Sequence, residues 1–141
     1  MTYLLDTNVV SELRKRDNAN PGVQAFFRQA QTANHGLYLS VITLGELRRG
    51  IELIRHRGDN PQAQLLEQWL DALIDSYSDH ILELSATEAQ VWGRLRVPHH
   101  EHAIDKLIAA TALVYDLCLV TRNERDFVGT GVRLLNPFSD Q

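Results

Sequence analysis

Short apolar runs alternate along this chain with longer segments of helical periodicity, and this alternation restricts the fold more than any other feature. Apolar runs of this length predict buried strands. Strands that alternate with helices predict a mainly parallel sheet covered by helices on both faces. We therefore expect an α/β fold. The runs are residues 2–5, 37–41, 81–84, 117–120 and 132–135.

Helix-capping signals indicate where several of the intervening helices begin and end. Asn20-Pro21 and Asn60-Pro61 each place a capping residue before a proline at the first helical position. Ser85 and Glu88 have the spacing of a capping box. Gly58 predicts the end of a helix that begins near Thr43. Neither repeats nor low-complexity segments interrupt the pattern.

The composition is that of an ordinary globular protein, with 44% hydrophobic and 23% charged residues among 141. That length predicts one domain with a sizeable core. The net charge of −4 argues against a general nucleic-acid coat protein. Residues 1–3 run directly into the first strand, so we expect no signal peptide. No stretch approaches the ~18 apolar residues that a membrane span needs, so we expect none. A single cysteine excludes a disulfide within the chain, so we expect a cytoplasmic protein. The one cysteine, Cys118, is predicted to be a buried strand residue in a reducing compartment.

Four carboxylates occupy positions that a parallel sheet would bring to one edge. Asp6 directly follows the first strand, and Asp126 follows the fourth. Asp105 begins the helix that leads into the fourth strand, and Glu46 lies about one turn into the helix after the second. Ligands of open α/β sheets bind beyond the carboxyl ends of the strands. We therefore expect these four acids to converge at that edge.

Such convergence is unfavourable without a cation. Two carboxylates ~4 Å apart repel each other by roughly 4 kcal/mol at an effective dielectric constant of ~20. A divalent cation turns that repulsion into binding, and carboxylate oxygens are the ligands that Mg²⁺ and Mn²⁺ prefer. The cation can then activate a water molecule and neutralise the charge that develops on a phosphate. An acid at any one of these positions, taken alone, is more often a helix cap or a surface group.

Four segments resemble, in order, the motifs of PIN-domain nucleases, and more specifically those of the VapC/FitB-like branch. The members of this branch are toxins of bacterial and archaeal toxin–antitoxin pairs. The resemblance spans the whole chain and implies a Rossmann-like three-layer sandwich formed by a single domain over residues 1–141. The segments are Leu4–Leu13, Thr43–Gly50, Asp105–Ala112 and Leu119–Phe127, with Asn136–Phe138 as a tail.

The resemblance also implies an Mg²⁺- or Mn²⁺-dependent endoribonuclease. Asp6 and Asp105 match the principal metal ligands, and Glu46 matches the third acid. Some relatives carry a fourth acid where this chain has Asn123, so Asp126 is the expected fourth carboxylate here. The reaction implied is in-line attack of activated water, which leaves a 5′-phosphate and a 3′-hydroxyl.

Polar neighbours of the acids are implied to hold them by hydrogen bonds. These neighbours are Thr7, Asn8, Thr121 and Asn123. Basic side chains near the motifs are candidates either for phosphate contacts or for ion pairs with nearby acids. These are Arg48, Arg49, Arg122 and Arg125.

The resemblance further implies partners: an RNA substrate, a cognate VapB-like antitoxin, and a second copy of the chain in a homodimer. DNA would be bound only through the antitoxin, whose basic side chain and apolar helix would cover the acids and a nearby groove. Apolar residues of the early helices suit either the dimer contact or the core. They are Phe26, Phe27, Ile51 and Ile54.

Other interpretations remain open. His99, His100 and His102 beside Asp105 suggest zinc, but no second pair of Cys or His exists, so a loop flanking the groove is expected. A receiver or phosphatase would need a second acid beside Asp6 and a basic residue, typically a lysine, at the end of a later strand, and the sequence has neither an acid beside Asp6 nor a lysine there. A catalytically inactive PIN-like binding module, or a FitB-type subunit of a DNA-regulatory complex, is the main alternative. Titration of the protein with metal separates an inactive binding module from a nuclease.

Overall fold

The computed structural model describes residues 1–139, and it contains one five-stranded sheet in which every strand pair is parallel. The strand order is β3-β2-β1-β4-β5. The α/β fold with a parallel sheet is thereby confirmed. The strands are β1 (Thr2–Leu5), β2 (Gly36–Ser40), β3 (Ile81–Leu82), β4 (Cys118–Val120) and β5 (Leu134–Leu135). The helices are α1 (Thr7–Leu13), α2 (Pro21–Thr32), α3 (Val41–His56), α4 (Asn60–Ser76), α5 (Ala86–Leu95) and α6 (Ala103–Val114).

Helices cover both faces of the sheet. Successive side chains of a strand point to opposite faces, and here both sets are apolar, so each face is buried beneath helices. On β1, Tyr3 and Leu5 belong to the core beneath α1 to α4, whereas Leu4 belongs to the core beneath α6. On β4, Cys118 and Val120 face the first core, whereas Leu119 faces the second. The predicted three-layer arrangement and the buried cysteine are both confirmed.

The order of the strands reverses at β1, and this reversal positions the site. The chain first adds β2 and β3 on one side of β1, and later adds β4 and β5 on the other. Asp6 follows β1 and Thr121 follows β4 at adjacent carboxyl ends, where ligands of open α/β sheets bind.

Several boundaries differ from the sequence prediction. Val41 belongs to α3 rather than to β2, because the Ser40 hydroxyl accepts a 3.0 Å hydrogen bond from the Ile42 amide and caps the helix. Asp59 rather than Asn60 caps α4, accepting from the Gln62 amide at 3.2 Å. The strands β3 and β5 have only two residues each, since both lie at an edge of the sheet.

Other capping predictions are confirmed. Asn20 accepts from the amides of Gly22 and Val23, and Ser85 with Glu88 forms the capping box of α5. Gly58 has φ +95°, the left-handed conformation that commonly follows a helix. No helix within residues 1–139 combines the length and the apolar character needed to cross a membrane.

Candidate active site

Asp6 is the most enclosed of the four predicted acids, with 4% of its surface exposed. It caps α1, and its Oδ1 accepts a 2.8 Å hydrogen bond from the Thr7 amide. Its Oδ2 accepts from the Thr121 hydroxyl at 2.7 Å and from the Asn8 amide nitrogen at 3.4 Å. These donors fix the carboxylate at the junction of β1 and β4.

Burial raises the pKa of Asp6 above its usual value, because a buried carboxylate loses the hydration that stabilises its charge. The hydrogen bonds from Thr121 and Thr7 oppose this change, and the negative charges of Asp126 and Glu46 reinforce it. The net effect is a raised pKa, so the ionised form of Asp6 is disfavoured in the metal-free site.

Asp105 lies in the first turn of α6, and its pKa is raised to about 6. Burial is the largest cause, followed by the negative charges of Asp6 and Asp126. A charge on His102 opposes the shift, and Glu46 adds to it. A shift with these causes is typical of functional sites, where acids are held together against their mutual repulsion.

Three of the predicted acids surround one open cavity of about 290 Å³. Asp6 reaches it from the end of β1, Glu46 from α3 and Asp105 from α6, so three distant segments of the chain meet there. The remaining lining residues are Thr7, Asn8, Ile104, Ile108 and Asn123.

Asp126 reaches the same acids from the segment that follows β4. It lies in a short 3₁₀ helix, Glu124–Phe127, and it does not line the 290 Å³ cavity. Its carboxylate nevertheless comes within 4.8 Å of a carboxylate oxygen of Asp105, and its charge acts on both Asp6 and Asp105. The structure thus brings all four predicted acids together, with Asp126 at the margin.

The predicted polar neighbours divide into direct and indirect partners of the acids. Thr121 and Asn8 bond Asp6 through their side chains, whereas Thr7 does so through its backbone. The Thr7 hydroxyl instead lies 3.5 Å from the hydroxyl of Thr43. Asn123 acts indirectly, because its backbone N–H donates to the Thr121 hydroxyl at 3.0 Å.

The basic residues also have distinct surroundings. Arg48 pairs with Glu67 at 2.5 Å and with Glu52 at 3.4 Å, which favours the ion-pair interpretation for this side chain. The Arg122 guanidinium lies 5.0 Å from the ring centre of Phe138. Within residues 1–139, Arg49 and Arg125 form no salt bridge, so both remain candidates for phosphate contacts.

The sequence pattern places His102 in a loop that flanks the groove, but in the structure its side chain lies beside two of the acids. His102 directly precedes α6, and its Nδ1 is 3.7 Å from Asp105 Oδ2 and 3.8 Å from Asp126 Oδ1. His99 and His100 do not join it, since 79% and 81% of their side chains are exposed. The i, i+3 spacing of His102 and Asp105 indicates that these two side chains can meet, but no sequence pattern indicates that Asp126 lies beside them.

The donor set fits a hard divalent cation. Carboxylate oxygens predominate, and one of the acids is buried. Burial, reinforced by the charges of the other acids, raises the pKa of Asp6 and Asp105. Asp6, Glu46 and Asp105 would hold such a cation at the cavity, with Asp126 beside them.

An apolar groove begins where the acid cavity ends, because Thr7 and Glu46 line both. It runs between α1, α3 and α4, and Arg14 lies at its wall. Its apolar lining consists of Leu47, Ile51, Ile54, Leu66 and Trp69. Of the four apolar residues considered for a dimer contact, Ile51 is core, and Phe26, Phe27 and Ile54 are partly buried against that core.

Comparison with known proteins gives consistent matches. A family model described as the PIN domain matches residues 3–131. Toxin FitB of Neisseria gonorrhoeae is 32% identical over 143 residues, which cover 97% of this chain and 99% of FitB. VapC ribonuclease Y4jK of Sinorhizobium fredii is 32% identical over 138 residues, which cover 96% of each chain. A solved structure of FitAB bound to a DNA fragment matches with a TM-score of 0.81 at 28% identity, covering 99% of this chain and 97% of that chain.

Proposed function

This chain belongs to the PIN-domain family, and from that premise we propose that it is an Mg²⁺- or Mn²⁺-dependent endoribonuclease. We further propose that it acts as the toxin of a toxin–antitoxin pair and that residues 1–141 form one domain. The similarity to a VapC ribonuclease and to toxin FitB, each over nearly the whole chain, supports the nuclease and toxin proposals.

The observation that carries the proposal is the convergence of Asp6, Glu46 and Asp105 on one cavity at the reversal of strand order. These residues are separated widely in sequence and come from three different elements. A fold gains no stability from crowding acids in this way, since the charges of the others raise the pKa of Asp6 and Asp105. The arrangement therefore favours a cation-binding role over a structural one.

The chemistry divides between a cation and the side chains that hold it. When bound, a divalent cation lowers the pKa of water and offsets the charge that develops on a phosphate during transfer. Asp6 and Asp105 would bind that cation, Glu46 would complete the oxygen set, and Thr121 would keep Asp6 oriented. Arg49 or Arg125 would hold a substrate phosphate.

Membership of the PIN-domain family supports in-line attack by water that expels the 3′-oxygen and leaves a 5′-phosphate and a 3′-hydroxyl. Such attack does not use the ribose 2′-hydroxyl as nucleophile. An RNA whose 2′-hydroxyl is methylated at the cleavage position should therefore still be cut. Enzymes that use the 2′-hydroxyl leave a cyclic phosphate instead.

For the partner, we propose an antitoxin segment that lies in the apolar groove between α1, α3 and α4. The groove adjoins the acids through Thr7 and Glu46, so one segment can bury apolar side chains and bring a basic side chain to the carboxylates. DNA binding would then come from the antitoxin, consistent with the similarity to FitAB bound to a DNA fragment. We also propose that two copies of the chain form a homodimer in the complex with the antitoxin.

The proposal is tested with purified protein and a labelled RNA. Cleavage should require Mg²⁺ or Mn²⁺, stop with EDTA, and fall on the order of 10²-fold or more in Asp6→Ala and Asp105→Ala. Asp75→Ala is the matched control, because this exposed carboxylate lies on α4 and lines neither the cavity nor the groove. Wild-type cleavage by either site variant would refute the assignment.

Expression in a bacterial host tests the toxin role separately. Growth should stop with the wild-type chain, continue with Asp6→Ala, and recover when a small neighbouring gene is co-expressed and its product co-purifies. An inactive binding module would bind the same neighbour without cutting RNA. An active nuclease that harms no host and captures no neighbour would leave the nuclease proposal standing alone.

A further inference from the structure

His102 lies at the N-terminus of α6 but does not cap the helix through its side chain. It precedes α6 in the left-handed conformation, with φ 55° and ψ 45°, and its side chain makes no capping hydrogen bond. The conformation turns the imidazole towards two acids from different elements, Asp105 on α6 and Asp126 beyond β4.

The spacing of these three groups suits a shared ion. The Nδ1 atom of His102 lies 3.7 Å from Asp105 Oδ2 and 3.8 Å from Asp126 Oδ1. Both distances exceed a hydrogen bond. Two ligands that each lie ~2.1 Å from one ion are separated by roughly 3 to 4 Å. One ligand atom from each of the three residues falls within a span of 4.8 Å.

Contacts on both sides hold the segment that carries His102. The buried ammonium of Lys106 donates to the backbone carbonyl of His99. The indole N–H of Trp92 donates to the carbonyl of Ala103 at 2.8 Å. Because these anchors flank His102 closely, the imidazole is presented to the acids by a supported backbone.

We infer that His102, together with Asp105 and Asp126, gives this site a nitrogen donor that makes it prefer Mn²⁺ to Mg²⁺. This inference rests on the proposed cation-dependent function and specifies which cation the site selects. Mg²⁺ demands oxygen ligands and retains its water, whereas transition-metal dications accept imidazole readily. A site made of carboxylates alone would lack the part of this Mn²⁺ preference that an imidazole ligand contributes.

An imidazole that only pairs with the two acids would behave differently. Its removal would change the electrostatic field at the acids and would alter the affinities for Mn²⁺ and Mg²⁺ by similar factors. The ratio of the two dissociation constants therefore separates a ligand from a neighbouring charge.

The experiment titrates the metal-free protein with MnCl₂ and, separately, with MgCl₂ by calorimetry. In His102→Asn the preference for Mn²⁺ should fall by roughly 10-fold or more, mainly through weaker Mn²⁺ binding. Asparagine is chosen because it tolerates a positive φ. His100→Asn, which removes an exposed imidazole of the same segment, should leave the ratio unchanged.

A second measurement uses the wild-type chain and needs no variant. Substoichiometric Mn²⁺ should broaden the imidazole NMR signals of His102 well before those of His100. An unchanged affinity ratio in His102→Asn, or equal broadening of both rings, overturns this inference. Absence of any Mn²⁺ and Mg²⁺ binding would instead overturn the proposed function, so the two failures are distinguishable.

Discussion

The hydroxyl of Thr121 donates a 2.7 Å hydrogen bond to Oδ2 of Asp6 and joins the ends of β4 and β1. Both groups are buried, with 0% of Thr121 and 4% of Asp6 exposed. Thr121 in turn accepts from the backbone N–H of Asn123. A single hydroxyl thus orients the central carboxylate and the loop that follows β4.

Thr121→Val should destabilise the metal-free protein by about 1 to 3 kcal/mol, because a buried charge-assisted hydrogen bond is lost while the shape is kept. Cleavage should fall roughly 10-fold, since Asp6 is no longer oriented. Urea unfolding and RNA cleavage measure the two effects. Thr111→Val is the control: its buried hydroxyl bonds only the Leu107 carbonyl within α6, so stability alone should change.

Asp105→Asn should stabilise the metal-free protein at neutral pH. The pKa of Asp105 is about 6 in the folded chain, against 3.8 for an aspartate in water, so folding disfavours its ionised form. Its contribution to stability is therefore present below pH ~4 and is lost as the pH rises through ~6. The difference corresponds to at most ~3 kcal/mol, and screening at a side chain that is 30% exposed reduces it towards ~1 kcal/mol.

The measurement is the Tm of both proteins in EDTA. The Tm of Asp105→Asn minus that of the wild type should be near zero at pH 4 and positive at pH 7.5. Millimolar Mg²⁺ should reverse the sign at pH 7.5, because only the wild type gains the full binding energy of the cation. A pH-independent difference would contradict the assigned pKa.

Asp126→Asn should impair cleavage less than Asp105→Asn and chiefly at low metal concentration. Asp126 lies outside the cavity that Asp6, Glu46 and Asp105 share, so it supports cation binding from the margin. We expect the Mg²⁺ concentration for half-maximal cleavage to rise roughly 10-fold, with a nearly unchanged rate at saturation. Equal losses in both variants that added Mg²⁺ does not relieve would reject this ranking.

Gly22→Ala and Gly45→Ala should change stability in opposite directions. A Cβ at Gly22 would lie 2.1 Å from the Pro137 carbonyl oxygen and 2.7 Å from the Ser139 nitrogen, so the tail must move, at a cost of roughly 1 to 3 kcal/mol. A Cβ at Gly45 meets nothing within 4 Å, and alanine in a helix interior gains about 1 kcal/mol. Thermal unfolding in EDTA compares them.

Local sequence patterns predicted the architecture because they report local physics. Burial on both faces produced the continuous apolar runs, and prolines and caps marked the helix starts. Boundaries were wrong where two signals competed: Val41 is β-branched and apolar, yet the Ser40 cap includes it in α3. Likewise Asn60 precedes a proline, but Asp59 provides the capping oxygen.

The site was predictable only as far as strand ends indicate position. Asp6, Glu46 and Asp105 could be placed at one edge, because parallel strands end together. The role of His102 depends on a left-handed backbone and on a 3₁₀ helix beyond β4, which no local pattern specifies. The pairing of Arg48 with Glu67 similarly depends on how α3 lies against α4.

The adjacency of β1 and β4 has a consequence for the protein's own synthesis. Ribosomes add roughly 5 to 20 residues per second, so Thr121, which is 115 positions after Asp6, follows it by roughly 6 to 23 s. Until then the nascent chain has neither the hydroxyl that orients Asp6 nor Asp126. The site is thus incomplete during nearly all of translation, and we expect fragments that end before β4 to lack an oriented Asp6 carboxylate. The interval between the synthesis of Asp6 and that of Thr121 gives an antitoxin that is already present time to bind the emerging chain before the site is complete.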